Sequence, residues 1–148
     1  MNNITKLTLE EIKTLVTDVF LKQGCNKVNA DALARTITKA EEDGSSSHGL
    51  FRVPGYVASL KSGKVNGNAS PKVKNITPVI LQCDADNGFA STSHEKALPM
   101  LAEAAKINGI SVLSIKGCYH FAALWPETEY LAGHNLVGFA CTAFKPSV

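Results

Sequence analysis

The 148-residue sequence lacks the features that mark membrane, secreted and nucleic-acid-binding proteins. No apolar stretch is long enough to cross a bilayer, and the first residues lack the basic and then apolar order of a signal peptide. The net charge is only +2, and Lys and Arg are scattered without a basic run. We therefore expect a cytoplasmic protein whose partner is neither a membrane nor a nucleic acid.

The few cysteines are too widely spaced for a zinc site. No CxxC pair occurs, and structural zinc needs clustered ligands. The segment Asp84–Gly88 carries several possible oxygen ligands, but it lacks the later acidic residue of a calcium loop, so we interpret it as a turn. The sequence thus predicts no metal site. It also predicts reduced thiols at all four cysteines, which are Cys25, Cys83, Cys118 and Cys141.

Two nucleotide-binding motifs are also missing. Neither GxGxxG nor GxxxxGK[ST] occurs, so a Rossmann fingerprint and a P-loop both lack support. What remains is a globular composition, with 45% hydrophobic and 19% charged residues. A chain of this length can bury a core without a disulfide or a metal.

Helical periodicity dominates the first part of the chain. Thr8–Glu11 has the pattern of a capping box, and apolar residues then recur at helical spacing as far as Gly24. A second helix is predicted from Asn29 to about Asp43. A third, shorter helix is predicted from about Pro54 to a stop at Gly63, and residues 64–71 then have the composition of a connection.

Strands and helices alternate in the rest of the chain. Thr92 and Glu95 have the spacing of a second capping box, and Gly109 is placed to end that helix. The predicted order is a strand at 79–81, a helix at 92–106, a buried strand at 110–115, a helix at 122–134 and a strand at 136–142. This alternation behind a helical segment predicts the α/β class.

The last predicted strand has no continuation that would complete a sheet. Its residues are apolar, and only the short segment Lys145–Val148 follows them. A buried strand rarely ends a domain. We therefore expect the chain to be the N-terminal portion of a longer protein, either as a fragment or as one half of a split protein.

The segment Ser47–Arg52 is the first candidate site. It follows the second helix in a turn rich in Ser and Gly, and loops on a rigid scaffold often carry catalytic groups. His48 can donate or accept a proton near neutral pH, and Arg52 offers a planar fork that matches a carboxylate. The same residues also fit a simple helix stop with a partly exposed histidine.

The segment Gly117–Trp125 is the second candidate site. It follows a predicted strand and opens a predicted helix, where free backbone N–H groups favour a phosphate. An aromatic turn packed into the core would have the same pattern. His94 and His134 lie near predicted helix ends, and we interpret them as solvated or capping residues.

Three blocks of the sequence resemble one oxidoreductase family. Asp43 to Tyr56 resembles the Asp-Gly, Ser-His-Gly, Arg and Pro-x-Tyr signature of the malate/L-lactate dehydrogenase-like family. Asp86–Ala90 resembles a second family block, and Gly109-Ile110 followed by His120–Leu124 resembles a third. Their order and spacing agree over nearly the whole chain. The run His120–Pro126 is most similar to the branch that reduces delta-1-piperideine-2-carboxylate and delta-1-pyrroline-2-carboxylate.

This resemblance implies a fold and a cofactor. The fold is a non-Rossmann α/β arrangement, with residues 1–72 as a helical segment that carries the catalytic turn and residues 73–148 as a truncated α/β cofactor-binding domain. The cofactor is NADPH, with NADH as a possibility, and the complete protein is a homodimer.

The resemblance also implies a role for each matching site residue. His48 corresponds to the proton donor, Ser47 to its hydrogen-bonding relay partner and Arg52 to the ligand of the substrate carboxylate. The residues that correspond to a dinucleotide-contacting segment are His120, Phe121, Ala122, Ala123 and Leu124.

The implied activity is the NADPH-dependent reduction of cyclic imino acids to L-pipecolate and L-proline. Two alternatives stay open at this point. One is a malate- or lactate-type dehydrogenase that acts on 2-oxo and 2-hydroxy acids. The other is a non-catalytic remnant, or half of a split enzyme that works only with its other half.

Overall fold

Residues 5–143 are described by the computed structural model. The helices are α1 (Leu9–Lys22), α2 (Lys27–Glu42), α3 (Val53–Lys61), α4 (Ala90–Asn108) and α5 (Trp125–Gly133), and the strands are β1 (Lys72–Asn75), β2 (Ile80–Asp84) and β3 (Val112–Lys116). A 3-10 turn, Leu50–Arg52, leads directly into α3. Within this part of the chain, no helix is both long and apolar enough to cross a membrane.

The predicted start and end of α1 are confirmed. Thr8 accepts a hydrogen bond from the Glu11 backbone N–H at 3.2 Å, and the Glu11 carboxylate accepts one from the Thr8 backbone N–H at 2.7 Å. This reciprocal pair satisfies donors that the first helical turn leaves free. At the other end Gly24 takes a φ of 89°, which a residue with a side chain rarely adopts, and the helix stops there.

The core lies where the first three helices meet the beginning of α4. α1 and α2 contribute an apolar stripe each, and Tyr56 of α3 closes the space between them. Phe89, which directly precedes α4, is fully buried in the same cluster. Its ring centroid lies 6.2 Å from that of Phe20 and 5.5 Å from that of Tyr56. The helical and α/β parts of the chain are therefore packed through shared aromatic contacts.

The sheet has the order β1-β2-β3, with an antiparallel pair followed by a parallel pair. α4 connects the two parallel strands, as a parallel pair requires. β3 was predicted to be buried, and this was wrong: along it, exposed residues alternate with partly buried ones, because it is the edge strand of the sheet within the described residues. The predicted boundary at residue 72 coincides with the first residue of β1, and the division into two domains stays a prediction.

The predicted capping box of α4 is wrong. The helix begins at Ala90, so Thr92 lies inside it, and the Thr92 hydroxyl donates to the Asn29 side-chain oxygen at 2.8 Å. Glu95 instead forms a two-bonded ion pair with Arg35, at 2.6 and 2.7 Å. Both residues bind α2, so tertiary contacts replaced the local pattern.

The predicted strand at 136–142 is also absent. Residues 136–143 have no regular secondary structure, and Val137 and Phe139 are exposed. A strand needs a neighbour that satisfies its backbone N–H and C=O groups, and the described residues place none beside this segment. The preceding helix is shorter than predicted, since α5 begins at Trp125 rather than at residue 122.

The capping box gives a test of the fold. Thr8→Ala should lower the free energy of unfolding by about 1 kcal/mol, because the Glu11 backbone N–H in the first turn of α1 loses its side-chain acceptor. Thr14→Ala is the matched control, since Thr14 is an exposed position within α1. Urea denaturation monitored by circular dichroism measures both variants. Equal midpoints for the two variants would contradict the contribution of the cap.

Candidate active site

The turn that carries His48 is fixed to the end of α2. Gly44 adopts a φ of 70°, and the N–H of Ser45 donates to the Ala40 carbonyl at 2.8 Å, which ends the helix in a Schellman motif. The Glu41 side chain then accepts from the Leu50 backbone N–H at 2.6 Å. A Cβ at Gly49 would collide with the same Glu41 carboxylate. The turn is therefore held against α2 at both of its ends.

Ser47 contacts both His48 and Arg52 within this turn. The Ser47 hydroxyl lies 3.0 Å from His48 Nδ1, although the two residues are adjacent in the chain. Arg52 Nε donates to the Ser47 carbonyl at 2.9 Å, and both Ser47 and Arg52 are exposed. Only Nδ1 of His48 takes part in hydrogen bonds within residues 5–143, so Nε2 is available for a ligand.

The second candidate segment lies close to the first. The His48 ring meets the Trp125 ring edge-on, with centroids 5.6 Å apart. The His120 side chain contacts α3, where its Nε2 lies 2.7 Å from the Ser59 hydroxyl and its ring lies 4.6 Å from that of Tyr56. Burial lowers the pKa of His120, and the nearby positive charge of Arg52 lowers it further. The fold thus brings together two motifs that lie about 70 residues apart in the sequence.

The backbone of residues 120–124 is suited to an anion. His120 and Ala122 have φ values of 50° and 59°, in the left-handed region that L-residues rarely occupy. Within residues 5–143, none of the backbone N–H groups from His120 to Leu124 donates to a protein acceptor. Successive free N–H groups in an irregular turn before a helix can donate to a bound anion.

The comparisons with known proteins agree with this arrangement. The sequence matches the malate/L-lactate dehydrogenase family over residues 7–148. It is 44% identical over 142 residues to a delta(1)-pyrroline-2-carboxylate reductase of Ancylobacter novellus, an alignment that covers 96% of this chain and 42% of that protein. The chain belongs to the malate/L-lactate dehydrogenase family.

Two solved structures show the same fold. The delta1-piperideine-2-carboxylate reductase from Pseudomonas syringae has a TM-score of 0.82 and 39% identity, over 85% of this chain and 38% of that chain. Sulfolactate dehydrogenase from Methanocaldococcus jannaschii has a TM-score of 0.76 and 29% identity, over 83% of this chain and 36% of that chain. The predictions of the family and of the α/β class are confirmed. The chain spans about two fifths of the length of the relatives it matches.

Part of the second segment lines a separate cavity. Phe121, Ala122 and Ala123 border a space of about 260 Å³ between α2, α4 and α5. Ser47, His48 and Arg52 do not border it. The segment therefore has two sides, with His120 directed to α3 and the next three residues directed to the cavity.

The cavity contains a polar pair that the sequence did not reveal. His94 was predicted to be solvated or capping, but its Nε2 lies 3.1 Å from Glu127 Oε1 and its side chain is only 19% exposed. Burial lowers the pKa of His94 to about 4 and raises the pKa of Glu127, because the interior disfavours both charged forms. The other Glu127 oxygen is buried without a hydrogen-bond partner in the described structure. The two residues lie 33 positions apart on different helices, so no local pattern could indicate the contact.

The interpretation of Asp84–Gly88 as a turn is confirmed. Asp86 and Asn87 both have positive φ values, and the Gly88 N–H donates to the Ala85 carbonyl at 2.9 Å. The Asp86 carboxylate accepts from the Ser70 N–H at 3.1 Å. Its role there is to join the turn to the connection before β1. Residues 5–143 contain no group of three or more His, Cys, Asp or Glu side chains placed to hold a metal ion.

The burial of His94 predicts a dependence of stability on pH. The unfolded chain takes up a proton near the ordinary pKa of 6.5, whereas folded His94 does so only near 4. Protonation of His94 in the unfolded chain should therefore lower the free energy of unfolding by about 2 kcal/mol as the pH falls from about 7 to about 5. His94→Gln should remove that loss, as measured by urea denaturation at both pH values.

Two comparisons isolate the effect of His94. The raised pKa of Glu127 acts in the opposite direction, since a carboxyl that gains its proton earlier in the folded state stabilises the fold as the pH falls. That contribution persists in His94→Gln, so the difference between the two proteins reports His94. His134→Gln is the control for the loss of a histidine at the end of α5. If wild type and His94→Gln lose stability equally, His94 does not titrate as a buried neutral group.

Proposed function

We propose that this chain carries the proton donor and the carboxylate-binding group of an NADPH-dependent reductase of cyclic imino acids. The substrates would be delta-1-pyrroline-2-carboxylate and delta-1-piperideine-2-carboxylate. The observation that carries the proposal is the meeting of the Ser47–Arg52 turn with the 120–125 segment, in a chain 44% identical to a reductase named for the first of these substrates.

The site supplies a proton on one side of a possible substrate. His48 Nε2 has no protein partner among residues 5–143, whereas Nδ1 lies against the Ser47 hydroxyl. When the ring gives a proton from Nε2, it keeps one on Nδ1, and the Ser47 oxygen can accept that hydrogen bond. The neutral tautomer left after the reaction is therefore stabilised, which suits a general acid.

Arg52 supplies a fixed positive charge for the carboxylate. Its Nε already donates to the Ser47 carbonyl, so the guanidinium is oriented by the same turn that holds His48. The remaining N–H groups of the fork are suited to two parallel hydrogen bonds with a carboxylate. A substrate gripped there would place the carbon beside its carboxylate close to His48.

The 120–124 segment fits the phosphates of a dinucleotide. Its free backbone N–H groups and strained φ values are the features expected of an anion site at a helix start. NADPH would supply the hydride, and the protein would supply orientation and charge. His120, Phe121, Ala122, Ala123 and Leu124 are the residues proposed to contact it. NADPH rather than NADH is part of the proposal.

The setting of the complete protein is proposed as well. We infer a cytoplasmic homodimer whose only other partner is the small-molecule substrate. All four cysteines are free, and burial raises the pKa of Cys25 to about 11, so these thiols suit a reducing compartment.

A second function has one observation in its favour. The structure is similar to that of a sulfolactate dehydrogenase at 29% identity, and sulfolactate is a 2-hydroxy acid. Arg52 would serve a 2-oxo acid equally well. A panel separates the two functions: the purified chain is given NADPH with the two cyclic imino acids, pyruvate, oxaloacetate or sulfopyruvate, and NADPH oxidation is measured. Faster turnover of any 2-oxo acid would overturn the imino acid assignment. If none of these substrates causes NADPH to be oxidised, the chain alone is not a catalyst.

His48→Ala tests the proton donor. Loss of a positioned acid should lower kcat with a 2-oxo acid by about a hundredfold or more, with little change in KM. The loss with an imino acid should be smaller, because its ring nitrogen can bind already protonated. His134→Ala is the control, since His134 stacks on Tyr130 at the end of α5. Turnover near that of wild type with both substrates would mean that His48 is only a structural residue of the turn after α2.

Arg52→Lys tests the carboxylate grip. A lysine keeps the charge but loses the fork, so the affinity for the product L-pipecolate should fall by about 2 kcal/mol, or roughly 30-fold. Calorimetric titration measures this without relying on turnover. Arg35→Lys is the matched control, because Arg35 pairs with Glu95 rather than with the site. Unchanged affinity in Arg52→Lys would show that the carboxylate binds elsewhere.

A further inference from the structure

Trp125 and Asp43 form a hydrogen-bonded pair beside His48. We propose that this Trp125–Asp43 pair positions the His48 ring, and that its loss impairs proton transfer without weakening substrate binding. The inference rests on the proposed function for the role of His48 as proton donor. Trp125 and Asp43 lie 82 positions apart in the sequence, and neither takes part in the proposed reaction itself. The proposal gives both a positioning role.

Among residues 5–143, the hydrogen bonds of His48 do not by themselves fix the orientation of its ring. Two serine hydroxyls lie near Nδ1, Ser47 at 3.0 Å and Ser45 at 3.5 Å, and either can serve the ring in a different orientation. The torsion that rotates an imidazole is also soft and roughly two-fold. A second contact on another part of the ring is therefore needed to give Nε2 one direction.

Trp125 supplies that second contact. Its ring meets His48 at 5.6 Å and 80°, an edge-to-face arrangement that both rings favour. Packing of this kind restricts rotation of the smaller ring without using either nitrogen. Nε2 consequently stays available while the ring is held.

Asp43 fixes Trp125 in turn. The indole N–H donates to Asp43 Oδ2 at 2.9 Å, and Asp43 Oδ1 accepts from Lys39 at 3.0 Å. Lys39 also reaches Glu129 of α5 at 3.4 Å, so the start of α5 is joined to the end of α2 by two routes. The Lys39 ammonium, and then the indole N–H, hold the pKa of Asp43 below its ordinary value, which keeps the acceptor ionised.

A purely stabilising role does not account for this network. Its charged groups are partly exposed, and solvent screening keeps the contribution of such ion pairs to the free energy of folding small. What the network does fix is geometry, because α2 ends in the turn that carries His48 and α5 begins with the residue that touches it. Trp125 also directly follows the 120–124 segment. The contact between the His48 and Trp125 rings therefore fixes the proposed proton donor relative to the proposed cofactor site.

The sole tryptophan of the chain makes the contact observable. A protonated imidazole in contact with an indole quenches its fluorescence, so Trp125 emission should fall as His48 is protonated. We call this fall in emission with falling pH the fluorescence step. His48→Gln should abolish the fluorescence step, and His134→Gln should retain it. The charged groups around the indole, which are Asp43, Lys39 and Glu129, are all kept in His48→Gln, so any effect of theirs on the emission remains in that variant.

Asp43→Ala is the decisive variant, and Glu42→Ala is its matched control. Glu42 is the adjacent carboxylate and also pairs with Lys39, at 3.3 Å, but the indole N–H binds Asp43 and not Glu42. Asp43→Ala should reduce the fluorescence step at least about threefold and lower kcat about tenfold with KM within about twofold, as expected of a misplaced catalytic group. Asp43→Asn keeps an oxygen acceptor and should recover most of both losses.

The outcomes separate the two proposals. If His48→Ala leaves kcat unchanged, the proposed function of His48 fails. If His48→Ala lowers kcat but Asp43→Ala behaves like Glu42→Ala, the positioning role fails alone. An Asp43→Ala protein that keeps the full fluorescence step would overturn the contact itself, and this measurement needs no catalytic activity.

Discussion

Three aromatic rings in the core determine where the candidate site lies. Phe20 of α1, Tyr56 of α3 and Phe89 before α4 pack with centroids between 5.5 and 6.3 Å apart. His120 lies against two of them, at 4.6 Å from Tyr56 and 6.0 Å from Phe89. The cluster therefore does more than bury apolar surface: it sets the 120–124 segment beside α3 and hence beside Arg52. Replacing one of these rings with a small side chain would leave a cavity and would also release His120.

The sequence predicted those features that depend on nearby residues. A capping box and a glycine stop predicted both ends of α1, and the Gly44 turn predicted the end of α2, because a helix end needs local partners for its free backbone groups. The predicted start of α2 at Asn29 was two residues late, since Asn26 caps the helix. The proximity of Ser47, His48 and Arg52 followed from their spacing in one turn. Thr92 and Glu95 show the limit of this reasoning: their spacing matches a capping box, yet Asn29 and Arg35 on another helix bind them instead. A local sequence pattern shows which capping hydrogen bonds a segment could form, but tertiary contacts decide whether its side chains form them.

Contacts between residues far apart in the sequence could not be predicted from local patterns. The His94–Glu127 pair and the Trp125–Asp43 bond each join residues that no periodicity relates. The approach of the 120–124 segment to the Ser47–Arg52 turn was implied only by family resemblance, since scattered histidines and two arginines do not specify a site. The strand predicted at 136–142 failed for a related reason. Its apolar pattern was real, but a strand exists only when another strand satisfies its backbone, and residues 5–143 place none beside it.

The proposed function would let one site serve chemically different substrates. Both an imino acid and a 2-oxo acid carry a carboxylate next to the carbon that accepts hydride, so the roles proposed for Arg52 and for the backbone of 120–124 would be the same in either case. The two substrates differ in the heteroatom. A carbonyl oxygen develops negative charge and must receive a proton, whereas an iminium nitrogen already carries one and ends as a neutral or re-protonated amine. In the proposed function His48, with Nδ1 against Ser47 and Nε2 without a hydrogen-bond partner among residues 5–143, would donate in the first case and accept a hydrogen bond from N–H in the second. Selectivity must then come from the shape around His48 rather than from its acidity, and Trp125 is the large rigid side chain that the structure places there.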